Sequence, residues 1–268
     1  RAPAGGSSNV WSRENGSVHV TTPLRKQVQR LLEERPGPGE ALEAFETLAG
    51  LLDAEPESPV RPLPTDPLDE TRVREGFPRF SRETLPLPLD RAGETLLRIL
   101  DHLSRTNRPD RQGLLDAAAR ARADRAWLEG ILRSVLTGDE AEQSRRAEEV
   151  DLDPNALRFL AKAALRPLLE ALRRAVEERL PGDAWSHGYC PLCGAEPDMA
   201  CLDPSGRRRL HCSLCGTEWA YPRIGCPFCG NGDQERLGYL EAEAQIGFRV
   251  DLCDACSRYL KTVDQRVL

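Results

Sequence analysis

Eight of the nine cysteines in this 268-residue chain fall into four Cys-x-x-Cys pairs: Cys190/Cys193, Cys212/Cys215, Cys226/Cys229 and Cys253/Cys256. Two intervening residues let both sulfurs of a tight turn point at one ion. Glycine follows the second cysteine in three pairs, at Gly194, Gly216 and Gly230. It allows the left-handed backbone that turns amide groups toward the sulfurs. One such pair would also suit a redox dithiol; four of them point to tetrahedral metal–thiolate sites. Such a cage has no open ligand position, so the pattern predicts structural or electron-carrying ions rather than a centre that activates water. Zn(II) and Fe both favour four sulfurs.

The intervening sequence decides which pairs share an ion. Between Cys193 and Cys212 lies Asp203-Pro204-Ser205-Gly206, a turn sequence between two candidate strands, 199–202 and 207–211. Between Cys229 and Cys253 lie candidate strands over 236–240 and 248–252, around a loop containing Gly247. Aligning Cys190 with Cys226 and Cys212 with Cys253 superposes the blocks, down to Trp219 in one and Leu260 in the other. This reads as an internal duplication, with one ion on Cys190, Cys193, Cys212 and Cys215 and a second on Cys226, Cys229, Cys253 and Cys256.

Other reactive side chains receive plainer readings. Cys201 lies in a candidate strand, where a small apolar residue suffices. His187 and His211 adjoin knuckle cysteines and are read as hydrogen-bonding support for thiolates. The run Arg207-Arg208-Arg209 is read as a solvated strand face, because the net charge is −6 and no broad basic field favours nucleic acid. No nucleophile elbow, phosphate loop or zinc-protease helix motif is present.

All nine cysteines lie between Cys190 and Cys256, which separates a cysteine-free part from a cysteine-rich one. The expected organisation is a flexible tail over 1–20, a helical domain over 21–184, a first metal ribbon over 185–225 and a second over 226–268. Thr22-Pro23 starts a first helix, and Pro36-Gly37-Pro38-Gly39 stops it near Arg35. A second follows with Leu48 and Leu52 on one face. Eight prolines between Pro56 and Pro88 predict an extended segment lying over the helices. Stripes from Leu89 to Leu103, Leu114 to Ala121 and Ala126 to Leu136 keep helical spacing. A longer stripe runs from Leu157 to Val176, capped by Asp153 and Pro154. The fold class is therefore α+β: a helical N-terminal domain followed by two tandem zinc-ribbon modules. No apolar run is long enough to span a membrane and the first thirty residues lack a signal-peptide pattern, so no membrane insertion and a cytoplasmic location are expected.

The tracts His187-Gly188-Tyr189-Cys190-Pro191-Leu192-Cys193-Gly194, His211-Cys212-Ser213-Leu214-Cys215-Gly216-Thr217-Glu218-Trp219 and Arg223-Ile224-Gly225-Cys226-Pro227-Phe228-Cys229 carry a more specific signal than their cysteines alone. With the helix around Leu157 to Pro167, they give a chain that resembles the FdhE family of formate dehydrogenase accessory proteins. The resemblance implies a non-catalytic cytoplasmic assembly factor with rubredoxin-like zinc-ribbon modules, holding two ions, Zn(II) or Fe, that binds the immature catalytic subunit of formate dehydrogenase. It implies a sulfur-transfer accessory protein as a second partner. Glu218 and Trp219, just past a knuckle, are the candidate partner-binding residues, with packing of Trp219 against the helical part as the alternative. Rival functions are a rubredoxin-like electron carrier, a nucleic-acid-binding zinc ribbon and a thiol–disulfide enzyme.

Overall fold

The structure, a computed structural model, describes residues 13–14, 17–18, 23–34, 39–53, 70–241, 243 and 245–268. The chain divides into two compact units, Arg1–Pro56 and Glu57–Leu268. In the first unit, strands β1 (Arg13–Glu14) and β2 (Ser17–Val18) pair antiparallel. Helices α1 (Leu24–Glu34) and α2 (Gly39–Asp53) pack together through Val28, Leu48, Ala49 and Leu52. Asp53, the last residue of α2, accepts the N–H groups of Leu24 and Arg25 at 2.8 Å each. That carboxylate satisfies donors a helix start leaves unpaired and sits at the favourable end of its dipole. Most of the tail read over 1–20, and the proline-rich stretch from 56 to 69, lie outside the described residues.

The second unit opens with the short helix α3 (Glu70–Arg74). The rest of the proline-rich segment then lies against the first cysteine knuckle. The N–H groups of Arg79 and Phe80 donate to the carbonyls of Pro191 and Leu192 at 2.7 and 2.9 Å, and the Tyr189 hydroxyl donates to the Gly76 carbonyl at 2.7 Å. These donors find partners in a turn whose carbonyls point outward, so the strap covers a knuckle as well as the helix over 125–137, which its residues 82–84 meet.

Helices α4 (Leu89–Ser104), α5 (Arg111–Ala123), α6 (Arg125–Thr137), α7 (Glu140–Glu148) and α8 (Pro154–Val176) follow. Their starts obey local chemistry. Asp124, Asp139 and Asp153 accept N–H groups of Trp127, Glu142 and Ala156 at 3.0 Å. Leu96, Ile99 and Leu100 of α4 and Leu157, Leu165 and Leu172 of α8 are fully buried, and α4 packs on α5, α6 and α8. Helix α7 had no signal in the apolar pattern, because its sequence is nearly all polar. Ala147 and the Gln143 amide, which donates to the Ser134 carbonyl at 2.8 Å, hold it to the core. Among the described residues, no helix is long and apolar enough to cross a membrane.

The cysteine-rich part forms one six-stranded sheet from β3 (Pro197–Leu202), β4 (Arg208–Cys212), β5 (Glu218–Ala220), β6 (Leu237–Glu241), β7 (Phe248–Cys253) and β8 (Arg258–Asp264). The spatial order is β5-β4-β3-β8-β7-β6. Each ribbon is a three-stranded antiparallel meander. The two join through parallel pairing of β3 with β8, Met199 opposite Lys261 and Leu202 opposite Asp264. The expected tandem modules thus share one sheet. On its inner face Ala200, Leu202, Leu210, Trp219, Leu260 and Thr262 are buried.

Strand alternation also corrects the reading of the arginine run. Arg207 is open to solvent, but Arg208 points inward and is only 4% exposed. Its Nη1 donates to the Gly225 carbonyl at 2.8 Å and its Nη2 to Asp251 Oδ2 at 3.1 Å. The Thr262 hydroxyl donates to the same carboxylate at 2.8 Å. A buried ion pair therefore ties β4 of one ribbon to β7 of the other.

The β3–β4 turn is held by Asp203, whose carboxylate accepts the N–H groups of Ser205 and Arg207 at 2.9 and 3.0 Å and the Ser205 hydroxyl at 2.6 Å. Burial opposes ionisation, but these donors and Arg207 outweigh it and hold the carboxyl at about 2. Because the folded value lies below the ordinary 3.8, the stabilisation is complete above that range and is lost as pH falls toward 2. Asp203→Ala should lower stability by about 2 kcal/mol in urea unfolding, with Asp203→Asn intermediate. In the helical core, a Cβ on Gly113 would stand 2.5 Å from the Asp151 carbonyl oxygen. Gly113→Ala should therefore destabilise by about 1–3 kcal/mol, read as a lower Tm, despite alanine's better helix propensity.

Candidate metal centres

The four knuckles share one backbone form. The N–H of Gly194, Gly216, Gly230 and Ser257 donates to the carbonyl of Cys190, Cys212, Cys226 and Cys253 at 2.8, 3.2, 2.9 and 2.8 Å. Each donor residue has positive φ, from 57° at Ser257 to 73° at Gly230. Glycine suits this conformation because no Cβ meets the carbonyl, and Ser257 adopts it without that freedom. In three knuckles the first cysteine's N–H donates five residues ahead, to Ala195, Thr217 and Asn231 at 2.8 to 2.9 Å. The hairpins then bring the knuckles together in pairs.

Cys190, Cys193, Cys212 and Cys215 converge in one group and Cys226, Cys229, Cys253 and Cys256 in another, with all ligand atoms of a group within 4.8 Å of one another. In the first, Cys190–Cys215, Cys193–Cys212 and Cys193–Cys215 sulfurs are 3.5, 3.6 and 3.6 Å apart. In the second, Cys226–Cys256 and Cys229–Cys253 are each 3.7 Å apart. Four sulfurs about 2.3 Å from a central ion form a tetrahedron with edges of about 3.8 Å. Both groups have that size, so the donor set fits one Zn(II) or Fe ion each. No cysteine is in a disulfide.

Local donors favour thiolate. At the first group, the N–H groups of Leu214 and Cys215 point at the Cys212 sulfur at 3.4 Å each, and the Thr217 hydroxyl lies 3.1 Å from the Cys215 sulfur. Burial pushes the Cys190 thiol up, whereas at Cys215 burial is outweighed by hydrogen bonds from the other three sulfurs and Thr217, and the thiol falls below its ordinary value. At the second group, burial raises Cys226 to about 12; Cys253, against the effect of burial, falls to about 7 because the N–H groups of Cys256 and Ala255 face its sulfur. One sulfur in each group is thus favoured as thiolate, the form that binds a cation.

The remaining sequence candidates lie elsewhere. Cys201 is half-buried on β3, and burial with nearby acidic groups pushes its thiol up to about 11. His211 Nδ1 is 2.8 Å from Asp198, which with its negative charge raises the imidazole pKa against burial. His187 stacks on Tyr189 and meets Trp185 edge-on, at centroid distances of 5.3 and 4.8 Å. Neither histidine supports a sulfur through any hydrogen bond among the described residues. The pair Glu218 and Trp219 separates across the sheet: Glu218 is exposed, while Trp219 is 3% exposed and donates Nε1–H to the His187 carbonyl at 3.0 Å. The indole is thus a packing element, because strand alternation turns it inward. Thr217 is a thiolate donor that the cysteine spacing does not announce, although its place two residues after a ligand is a usable signal.

Known proteins are similar to this chain. The sequence model of the FdhE central domain matches residues 189–223. The FdhE homologue of Aquifex aeolicus is 31% identical over 122 residues, 44% of this chain and 42% of that protein. The homologue of Pseudomonas aeruginosa is 30% identical over 165 residues, 50% of this chain and 53% of that protein. The chain thus spans about half the length, or less, of these curated relatives. The crystal structure of the FdhE protein from Pseudomonas aeruginosa superposes with a TM-score of 0.59 at 26% identity, covering 90% of this chain and 81% of that one. Over most of its length the chain is thus similar to FdhE proteins, in sequence across the first cysteine ribbon and in fold across 90% of its residues.

Proposed function

We propose that this protein is a non-catalytic cytoplasmic assembly factor that holds two tetrahedral ions, Zn(II) or Fe, and binds the immature catalytic subunit of formate dehydrogenase. The observation that carries the proposal is the likeness to FdhE over 90% of the chain, in which two closed four-sulfur groups brace one sheet. A sulfur-transfer accessory protein acts beside it in this reading. The ions supply folding free energy and rigidity, and a fully ligated tetrahedral ion offers no place for substrate.

The outer face of the sheet supplies a binding surface. Register places Leu240, Val250, Lys261, Met199, His211 and Glu218 in one row across all six strands. At its second-ribbon end Leu240 is 63% exposed, and Tyr259 on the same face is 61% exposed. Exposed apolar side chains beside charged ones suit an incompletely folded client, whose own apolar segments are still in water. Glu218 stands at the far end of that row.

Protein purified without oxygen should carry two ions per chain and recover a formate dehydrogenase catalytic subunit in a pull-down. Two ions with no such client, and with a reversible one-electron potential or bound nucleic acid instead, would overturn the reading. Leu240→Asp combined with Tyr259→Asp should leave fold and metal content intact and weaken client capture by at least about tenfold, as loss of two apolar contacts at an interface would. Cys212→Ala combined with Cys215→Ala should unfold the first ribbon and abolish capture. A folded variant with unchanged client affinity would show that the shared sheet is not the platform.

A further inference from the structure

We infer that the two four-sulfur sites are unequal: the first is a locked structural site, and the second is an exchangeable one at which a small external thiolate displaces Cys229 from the ion. The inference rests on the reading that both groups hold an ion. Burial separates the two sites first. Cys190, Cys193, Cys212 and Cys215 are all buried, none more than 2% exposed, whereas Cys229 is exposed and Cys256 half-buried.

The cause lies in what covers each knuckle. At the first site the strap residues Arg79 and Phe80 donate their N–H groups to the Cys190 knuckle, and Lys162 of α8 reaches the Ser213 carbonyl of the Cys212 knuckle at 3.4 Å. At the second site Cys226 and Cys253 instead line a cavity of about 320 Å³, walled by Phe228, Tyr239, Arg249 and Arg258. Its ligands therefore face solvent through Cys229 and Cys256 and the cavity through the other two.

The duplication also changes the side chain beside the last ligand. Where the first site has Thr217, hydrogen-bonded to Cys215, the second has Arg258. Its guanidinium lies 3.6 Å from the Phe228 ring centroid and donates to Glu196 at 2.6 and 2.8 Å. A hydroxyl that anchors a ligand is thus replaced by a side chain already engaged with Glu196 and Phe228, which leaves Cys256 without such an anchor among the described residues. In the exchange, one metal–Cys229 bond breaks and one bond to the external thiolate forms. The ion would keep its charge and four sulfurs, with the Cys229 thiolate released as the external one binds.

The test uses full-length protein loaded with zinc and challenged with a chromogenic chelator. One equivalent should leave about tenfold faster than the other, the ratio that about 1.4 kcal/mol less opening free energy gives. A low-molecular-weight thiol should accelerate the fast phase alone. Cys229→Ser should lose or speed release of that ion and leave the slow phase unchanged. Timed alkylation of the unaltered protein needs no variant, and Cys229 should be labelled before any cysteine of the first site. A single release rate for two ions, a slow phase altered by Cys229→Ser, or early labelling of Cys190 or Cys193 would overturn the inequality alone. A count of no ions per chain would overturn the metal reading itself.

Discussion

Convergence of four sulfurs on one point is the constraint on which the ribbons depend. Each meander has three strands of three to seven residues, too little to bury the apolar area that stabilises a sheet alone. Every knuckle bends its chain through a left-handed residue, an arrangement worth its strain only if the sulfurs end with a shared ligand. With each hairpin closed at its base, the strands need only hold register. This explains a sheet that tolerates Cys201, Met199 and several charged residues on its outer face. The helical core is independent of this device, because α4 and α8 bury leucine against leucine in the ordinary way.

Duplication produced two copies of the knuckle pair, and the surroundings made them different. The first copy lies under the strap and against α8, so its sulfurs are shut away. The second faces a cavity on one side and water on the other. Identical local chemistry, down to the same i to i+4 hydrogen bond, thus gives one site with the environment of a core and another with that of a surface. The apolar side chains of the outer face are most exposed on this second ribbon as well, at Leu240 and Tyr259. The accessible cysteine group and the exposed apolar side chains accordingly coincide in one half of the sheet.

Spacing made the knuckles, their pairing and the hairpins legible, because Cys-x-x-Cys and Asp203-Pro204-Ser205-Gly206 are local signals whose geometry is fixed within a few residues. Asp153-Pro154 was legible as a helix start for the same reason. What escaped was non-local. Helix α7 carries almost no apolar stripe, so periodicity was silent about it. The strap's partner is a turn more than a hundred residues away, and nothing in eight prolines names it. Parallel pairing of β3 with β8 joins strands about sixty residues apart, which no hairpin signal announces. Composition made three consecutive arginines look solvated, yet the period of two turned the middle one inward.

That middle arginine shows how the halves are held in register. Arg208 and Asp251 lie on β4 and β7, two strands apart on either side of the β3–β8 seam. A buried pair of this kind is poor evidence of net stabilisation, since apolar replacements of both partners are often tolerated or better. Its geometry is nonetheless demanding. A slip of one residue in any strand between them would turn the guanidinium or the carboxylate to the opposite face and leave the buried Arg208 without its carboxylate, while Asp251 would keep Arg249. Leu202, Leu210 and Leu260 would accept several packings, because apolar contact is non-directional. The ion pair, with the Gly225 carbonyl and Thr262 hydroxyl as further partners, accepts one. The cages close each ribbon, and Arg208 with Asp251 fixes how the two closed ribbons meet.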